Sequence, residues 1–321
     1  MPLKSISKTL KESPNLLSAV FASWSQDKAM RLSAAVAMYS ILSLSPMLVI
    51  TIKVLSSIPG LGPDMAARQV ERQMEGLVGI ESARAIKGMI SETSKAGAGV
   101  LATTISSIVL LITASGVFAE LQDALNTVWN VKAKPNQKWK WWAMIKNRLL
   151  SLGMVFVVAF LLLVSQFITT SLAFLSEKAT GEEGSLRYFI DFTTSSIVIT
   201  LLFACLFRFL PDVKINWQDV AIGAVLTAVL FKVGQYVLTI YFKFAATSSA
   251  YGAAGSFVAV LLWVYYSCWI LFFGAEFTKV FARHRGRWIM PEAYAEPVPT
   301  EERLAQGLEP VPAPEGEGAG Q

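Results

Sequence analysis

The ionisable side chains of this sequence that could carry chemistry lie inside apolar blocks. Lys232 occurs near the middle of AVLFKVGQYVLTIYF, and Glu276 lies nearer the end of LFFGAEFTKV. A charged side chain in hydrocarbon costs at least about 2.5 kcal/mol on insertion scales, so such residues face a partner, water or a substrate path. If the two blocks are antiparallel helices, their Cα atoms differ in depth by roughly 10 Å at about 1.5 Å per residue. A stretched Lys232–Glu276 ion pair is therefore one interpretation, and contact of Lys232 with headgroup oxygens or a hydrated cavity is the other.

A second group of charged side chains is predicted to share one layer at the cytoplasmic surface. Carboxylates at such an interface are usually solvated, so each residue alone says little. Together their signs can pair, which favours a structural ion-pair lattice over a catalytic site. The predicted members are Glu120, Asp123, Arg208, Asp212 and Glu276.

Hydrolytic chemistry is poorly supported by the residue types. Phosphodiester hydrolysis needs metal-binding carboxylates and histidines, or a general acid and base placed around the phosphate. The one histidine, His284, lies in a basic run, and Cys205 and Cys268 fall within apolar blocks, where they are predicted to be small packing residues. We therefore expect no enzymatic activity, no cofactor and no metal site. The run KWKWWAMIK is typical of an aromatic belt at a membrane surface, so we expect no nucleic-acid partner.

Composition indicates that these residues belong to a membrane protein. Hydrophobic residues make up 54% and charged residues 16% of the chain, with a mean hydropathy of +0.50, whereas soluble domains average about 25% charged residues. The apolar blocks approach the roughly 20 residues that a helix needs to cross hydrocarbon, and lipid leaves open backbone groups unsatisfied. We predict an all-α polytopic fold, a six-transmembrane-helix bundle with short interfacial and external amphipathic helices. The predicted spans are about 33–58, 97–119, 149–175, 188–210, 220–244 and 256–282.

The distribution of Lys and Arg predicts the orientation of this bundle. These residues concentrate before the first span, after the second span and after the sixth, while the opposite loops balance them with acids. The positive-inside rule then places both termini in the cytoplasm. The sequence thus divides into a cytoplasmic segment over 1–32, the transmembrane domain over 33–282, and a basic stub with a tail over 283–321.

Three segments outside the spans have predictable character. Apolar residues from Leu16 to Trp24 share one helical face, which predicts a helix lying in the cytoplasmic interface. The external loop over 59–96 predicts two short amphipathic helices, which either cap the bundle or pack on lipid headgroups. Residues 291–321 are rich in proline and glutamate, which predicts a disordered tail.

Small residues and one proline predict how the spans pack. Gly223 with Thr227, and Ala224 with Ala228, repeat the small-xxx-small spacing that brings membrane helices close. Pro46 lies inside the first span, where it frees the carbonyl of Leu42 and bends the helix. We expect a nearby serine, Ser43 or Ser45, to satisfy that carbonyl.

Four motifs, taken together, resemble the YihY/BrkB family of bacterial inner-membrane proteins. They are DKAMRLSAAVAMYSILSLSPML, FAELQDALNTVWNV, FRFLPDVKINWQDVAIGA and YGAAGSFVAVLLWVYYSCWILFFGAEFTKVFA, and they span roughly residues 20 to 285. The resemblance implies six transmembrane helices with both ends cytoplasmic, in the bacterial inner membrane. By resemblance, the positions of interest are Asp27, Tyr39, Pro46, Asn126, Trp129, Arg208, Pro211, Asp212, Trp217, Tyr251, Gly252, Trp263, Gly274 and Glu276. It assigns them no individual roles.

The functional hypotheses concern the cell envelope. Relatives in this family have been linked to export of envelope lipid, and charged residues within spans one, five and six favour transport or translocation of a lipid or another envelope substrate. The alternative is a non-transporting scaffold that recruits envelope-assembly proteins through the loop or the tail. Membrane lipids are the expected partners under both hypotheses. A ribonuclease name carried by some members finds no support in the residues.

Overall fold

The computed structural model of this chain describes residues 14–56, 62, 64, 65, 67, 68, 116–134, 185–245, 255–287 and 289–308. The predicted span over 149–175, almost all of the span over 97–119, and the amphipathic helices of the external loop lie outside these residues. Everything below concerns the described part of the chain.

The amino-terminal part forms two helices separated by a sharp turn. Helix α1 covers Pro14–Gln26 and helix α2 covers Ala29–Ser56. Lys28 has a φ of 52°, a left-handed conformation that reverses the chain and leaves Asp27 at the turn. Helix α2 continues through Pro46, so this proline does not end the span. Ser43 donates to the carbonyl of Ser40 at 2.8 Å, so it is not the residue that satisfies Leu42.

The segment before the first span forms a helix, as predicted, but some of its apolar side chains are buried and others are exposed. Leu16 and Val20 are buried against Phe277 and Phe281, because residues four apart share one face of a helix. Leu17 and Phe21, which we expected on the same face, are largely exposed. The helix thus docks on the bundle with one stripe and presents a second apolar stripe outward.

The next helices along the chain complete the described bundle. Helix α3 is described over 116–129, the residues immediately before 116 lying outside the described part. Helix α4 covers Ser185–Phe209, α5 covers Trp217–Ala245 and α6 covers Gly255–His284. Among the described residues, α4, α5 and α6 are each long and apolar enough to cross a membrane, and α2 carries a shorter apolar stretch over Ala29–Ser43. A helical membrane protein is therefore confirmed, and the count of six spans remains a prediction.

Helix α6 lies at the centre of the described bundle. It packs against α1, α2 and α5, and α4 packs on the other side of α5. The contact between α5 and α6 is close: a Cβ placed on Gly223 would lie 1.8 Å from Oγ1 of Thr278, and a Cβ placed on Gly274 would lie 1.8 Å from Oγ1 of Thr227. The small residues Gly223 and Thr227 therefore mark a helix crossing, as their spacing predicts.

Two short antiparallel sheets close one end of the bundle. Strand β1, Val131–Ala133, pairs with β4, Ala295–Pro297. Strand β2, Val213–Lys214, pairs with β3, Met290–Pro291, and helix α7 covers Thr300–Ala305. We call the assembly of α3, α7 and these four strands the end cap.

The end cap corrects the prediction of a disordered tail for residues 291–308. Composition favours disorder because proline and glutamate bury little apolar surface. Here the prolines occupy edge strands, where a missing N–H costs no ladder bond. Tyr294, Arg303 and Leu308 are buried in the cap. Long-range packing therefore orders a segment that local composition cannot.

Candidate functional site

A buried cluster of charged side chains connects the turn between α1 and α2 to α6 and α7. We call it the Asp27 network, and its members are Ser23, Asp27, Asn130, Glu276, Lys279 and Arg303. The Lys279 ammonium donates to Oδ2 of Asp27 at 2.9 Å and to the carbonyl of Val128 at 2.8 Å. It also lies 2.6 Å from Oε2 of Glu276, one turn earlier on α6.

The remaining contacts of the Asp27 network come from α1 and α7. Nη2 of Arg303 donates to Oδ1 of Asp27 at 2.9 Å, and its Nη1 donates to the side-chain oxygen of Asn130. The hydroxyl of Ser23 donates to Oε2 of Glu276 at 2.8 Å. Asn130 ends α3 with a φ of 57°, a conformation that asparagine tolerates better than most residues. The network thus ties four separate segments together.

The Asp27 network holds two acidic and two basic side chains. Their relative exposure is 2% for Asp27, 0% for Glu276, 2% for Lys279 and 4% for Arg303. The four side chains therefore face one another in a region shielded from water. Burial acts to raise the pKa of Asp27, but the Lys279 charge and the hydrogen bonds that Asp27 accepts outweigh it and hold that pKa below 3.8. Asp27 is thus held as a carboxylate.

Asp212 anchors the end cap through neutral donors. Its carboxylate accepts hydrogen bonds from the side-chain amides of Gln122 at 3.0 Å and Asn126 at 2.9 Å, and from the hydroxyl of Tyr294 at 3.0 Å. Its backbone N–H donates to Asn126 at 2.8 Å. Burial and the adjacent Asp212 charge raise the pKa of Tyr294, so the phenol remains a donor. This arrangement fixes β2 and β3 against α3.

The predicted ion-pair lattice is therefore wrong in its membership. Arg208 donates to the carbonyl of Ile215 at 2.8 Å, and Asp212 is held by amides and a phenol. Asp123 is exposed. Glu120 is partly buried, and burial together with the Asp123 charge raises its pKa. Of the five predicted members, Glu276 alone lies in the buried network, paired with a lysine that the lattice did not include.

Lys232 has surroundings of a different kind. Its ammonium donates to the hydroxyl of Ser195 on α4 at 2.6 Å and lies 5.4 Å from the centre of the Phe192 ring. The ion pair with Glu276, one of the two interpretations, is wrong, because Glu276 pairs with Lys279 on the same helix. Among the side chains that the structure describes, which do not include that of Asp191, no carboxylate pairs with Lys232. A cation inside a predicted span is thus held by a hydroxyl and a ring face.

The other predicted positions have varied locations. Tyr39 lies on α2 beside Gly116, where an added Cβ would be 3.1 Å from the tyrosine ring. Gly274 forms the α5–α6 crossing and Pro46 lies within α2, while Tyr251 and Gly252 lie outside the described residues. Across the part of the chain that can be described, no three His, Cys, Asp or Glu side chains converge on a common metal position.

The sequence interpretation missed several residues of these clusters, among them Ser23, Gln122 and Asn130. Lys279 was counted only as a positive-inside charge, although it follows Glu276 by one helical turn, a spacing that places both on one face. Arg303 and Tyr294 lay in the segment that composition predicts to be disordered. That segment holds one arginine among many glutamates, and a single cation in an acidic segment is a candidate for a specific ion pair.

Comparison with known proteins identifies the family. The family model described as Virulence factor BrkB matches residues 20–296. The chain belongs to this family. The match reaches beyond the last span through β3 and into β4, so the carboxyl-terminal strands are part of what the family shares.

Curated relatives agree with this assignment. A UPF0761 membrane protein of Tolumonas auensis is 27% identical over 82% of this chain and 82% of its own length. UPF0761 membrane proteins of Psychrobacter sp. and Idiomarina loihiensis are 23% and 26% identical over 82% and 53% of this chain, respectively. The matches cover 47% and 57% of those two relatives, about half of their length. No solved structure matches the chain.

Proposed function

We propose that this BrkB-family protein transports or translocates a lipid or another envelope substrate across the bacterial inner membrane. Lys232 is the observation that carries the proposal. Its charge lies within a helix that can cross a membrane, and among the described residues it is held by a hydroxyl and a ring rather than by a carboxylate. A cation in that position makes membrane insertion less favourable, and such residues commonly mark a path for a charged substrate, here an anionic one.

Separate roles for the two groups of buried charge support the proposal. The Asp27 network is enclosed, because its four titratable side chains are at most 4% exposed. Lys232 is half-buried at the α4–α5 contact. The distribution of Lys and Arg supports an orientation in which the end cap and both termini lie in the cytoplasm.

The decisive experiment is reconstitution with a reporter lipid. We expect vesicles with the full chain to move a fluorescent phosphatidylglycerol between leaflets faster than empty vesicles, as measured by dithionite quenching. Lys232→Leu should lower the rate at least tenfold, Lys232→Arg should retain most of it, and Arg68→Leu, at an exposed position, is the matched control. Equal rates in loaded and empty vesicles would overturn lipid transport, and an unchanged rate in Lys232→Leu would overturn the role of this lysine.

We also propose that the protein is not an enzyme and binds no nucleic acid. Asp212 is occupied by amides and a phenol. Glu276 has one oxygen without a hydrogen-bond partner among the described residues, but its side chain is fully enclosed, so it has no contact with a substrate phosphate in solution. Purified protein that hydrolyses RNA, with loss of the activity in Asp123→Ala or Glu276→Ala, would contradict this proposal.

A further inference from the structure

A cleft of about 610 Å³ opens where α4 and α6 end and α5 begins. Its lining is mainly polar and carries three cations, Arg208, Lys214 and Arg287. Two carboxylates, Asp219 and Glu292, also line it. None of the lining residues belongs to the Asp27 network, and Lys232 is not among them, so the proposed path does not account for the cleft.

The cations of the cleft are not all neutralised. Asp219 is buried and is contacted by Arg287 at 3.0 Å and by Arg285 at 3.5 Å. Lys214 and Glu292 approach only to 3.9 Å, and the lysine side chain is 61% exposed. The three lining cations, together with Arg285 beside Asp219, therefore outnumber the two carboxylates, and Arg208 and Lys214 are the least closely paired of them.

Arg208 has donors to spare. A guanidinium carries five N–H donors in a fixed fork. Nη1 donates to the carbonyl of Ile215 at 2.8 Å, and the group lies 5.7 Å from the centre of the Trp217 ring. Among the described residues no carboxylate pairs with it. Arg208 is thus positioned by its neighbours yet keeps N–H groups for an anion.

Two aromatic side chains beside Arg208, which are not themselves lining residues of the cleft, indicate where this anion comes from. Phe209 and Trp217 remain 46% and 52% exposed, and their ring centres lie 5.8 Å apart in an edge-on contact. They lie at the ends of two helices that can cross a membrane. Exposed aromatic side chains at span ends are typical of the headgroup level of a bilayer. A ligand that contacts both the lining cations and these exposed rings combines a charged headgroup with hydrocarbon chains.

We propose that this cleft binds the headgroup of an anionic phospholipid. The phosphate lies against Arg208 and Lys214, and the glycerol backbone lies against Phe209 and Trp217. Arg287 is paired with Asp219, so it attracts the phosphate electrostatically from a distance and makes no direct contact with it. The inference does not rest on the proposed transport, because headgroup binding is measured without movement of lipid.

The test compares lipids bound to the purified full chain. In mixed detergent micelles, phosphatidylglycerol should bind more tightly than phosphatidylcholine, as measured by tryptophan fluorescence and by retained lipid in native mass spectrometry. Lys214→Gln should weaken phosphatidylglycerol binding about tenfold, the loss of one charge-assisted contact. Lys134→Gln, an exposed cation elsewhere on the cap, is the matched control and should change nothing.

Further arms separate a lipid site from a phosphate site. Arg208→Gln should weaken binding as much as Lys214→Gln does, and the exposed Lys214 variant keeps the test valid if Arg208→Gln fails to fold. Trp217→Ala should weaken phosphatidylglycerol but leave the weaker binding of soluble glycerol phosphate unchanged. Equal binding of the two lipids, no effect of Lys214→Gln, or soluble glycerol phosphate that binds as tightly as the lipid would each overturn the proposal.

Discussion

At the residue scale, Lys279 contacts both buried acidic side chains of the Asp27 network, and Arg303 contacts Asp27 as well. Removing one partner of a buried ion pair leaves an uncompensated charge, which costs about 3–5 kcal/mol. Lys279→Met, which keeps much of the side-chain volume, should therefore lower the free energy of unfolding by that amount and lower the melting temperature in detergent. Lys134→Met, which removes one exposed hydrogen bond to the carbonyl of Ala293, should lower the melting temperature far less. Equal melting temperatures for the two variants would contradict a stabilising network.

The same network predicts how stability depends on pH. The pKa of Asp27 is held below its ordinary value of 3.8, so the unfolded chain binds more protons than the folded chain in acid. The stabilisation is complete above the unfolded pKa and is lost as the pH falls through the folded pKa. Melting temperatures measured from pH 7 to pH 3 should fall for the native chain, and Asp27→Asn should remove part of that slope. Parallel curves would show that Asp27 does not contribute.

Individual residues also show what sequence alone could establish. Asp27, Asn126, Asp212 and Glu276 were named from the sequence as positions of interest, and all four are buried in polar clusters. Their partners were not found, because Asp27 and Arg303 are separated by 276 positions. Hydropathy and charge counts are local quantities, and they carry no information on which distant side chains meet.

At the element scale, the α5–α6 crossing is the contact that spacing predicted best. Gly223 and Gly274 each face a threonine of the opposite helix, so a methyl group at either position meets a side chain that cannot retreat. Gly223→Ala should cost about 1–3 kcal/mol through overpacking. Adding Thr278→Ala should recover part of the loss, because it removes the hydroxyl that lies closest. Gly62→Ala is the matched control, since no atom lies within 4 Å of a Cβ there.

Melting curves of these variants in one detergent would decide the matter. If Gly223→Ala matches Gly62→Ala, then α5 and α6 are not in close contact at this point. If Thr278→Ala adds its own loss without any recovery, the cost at Gly223 arises within α5. Spacing could identify the small residues because a helix repeats on a fixed period, whereas it could not tell which helix they face.

At the scale of the whole molecule, the carboxyl-terminal segment joins parts of the chain that are distant in sequence. Strands β3 and β4 pair with β2 and β1, and Arg303 reaches the turn between α1 and α2. A bundle of membrane helices alone would leave the carboxylates of Asp27 and Asp212 short of partners at this end. The segment that composition assigns to a tail therefore completes the polar packing of the fold.

Two truncations test this role. Deleting residues 309–321 should leave the melting temperature unchanged, while deleting residues 291–321 should lower the free energy of unfolding by at least about 3 kcal/mol, since it strips a buried carboxylate of its guanidinium. Because the longer deletion could abolish folding, Arg303→Met and Tyr294→Phe measure the two contacts separately. A 291–321 deletion as stable as the native chain would show that the cap is dispensable. The shorter deletion also tests the scaffold hypothesis. If a co-purifying partner is lost on deletion of residues 309–321 while the protein stays fully stable, those residues recruit the partner. If the partner is lost only on deletion of residues 291–321, its binding depends on the folded end cap.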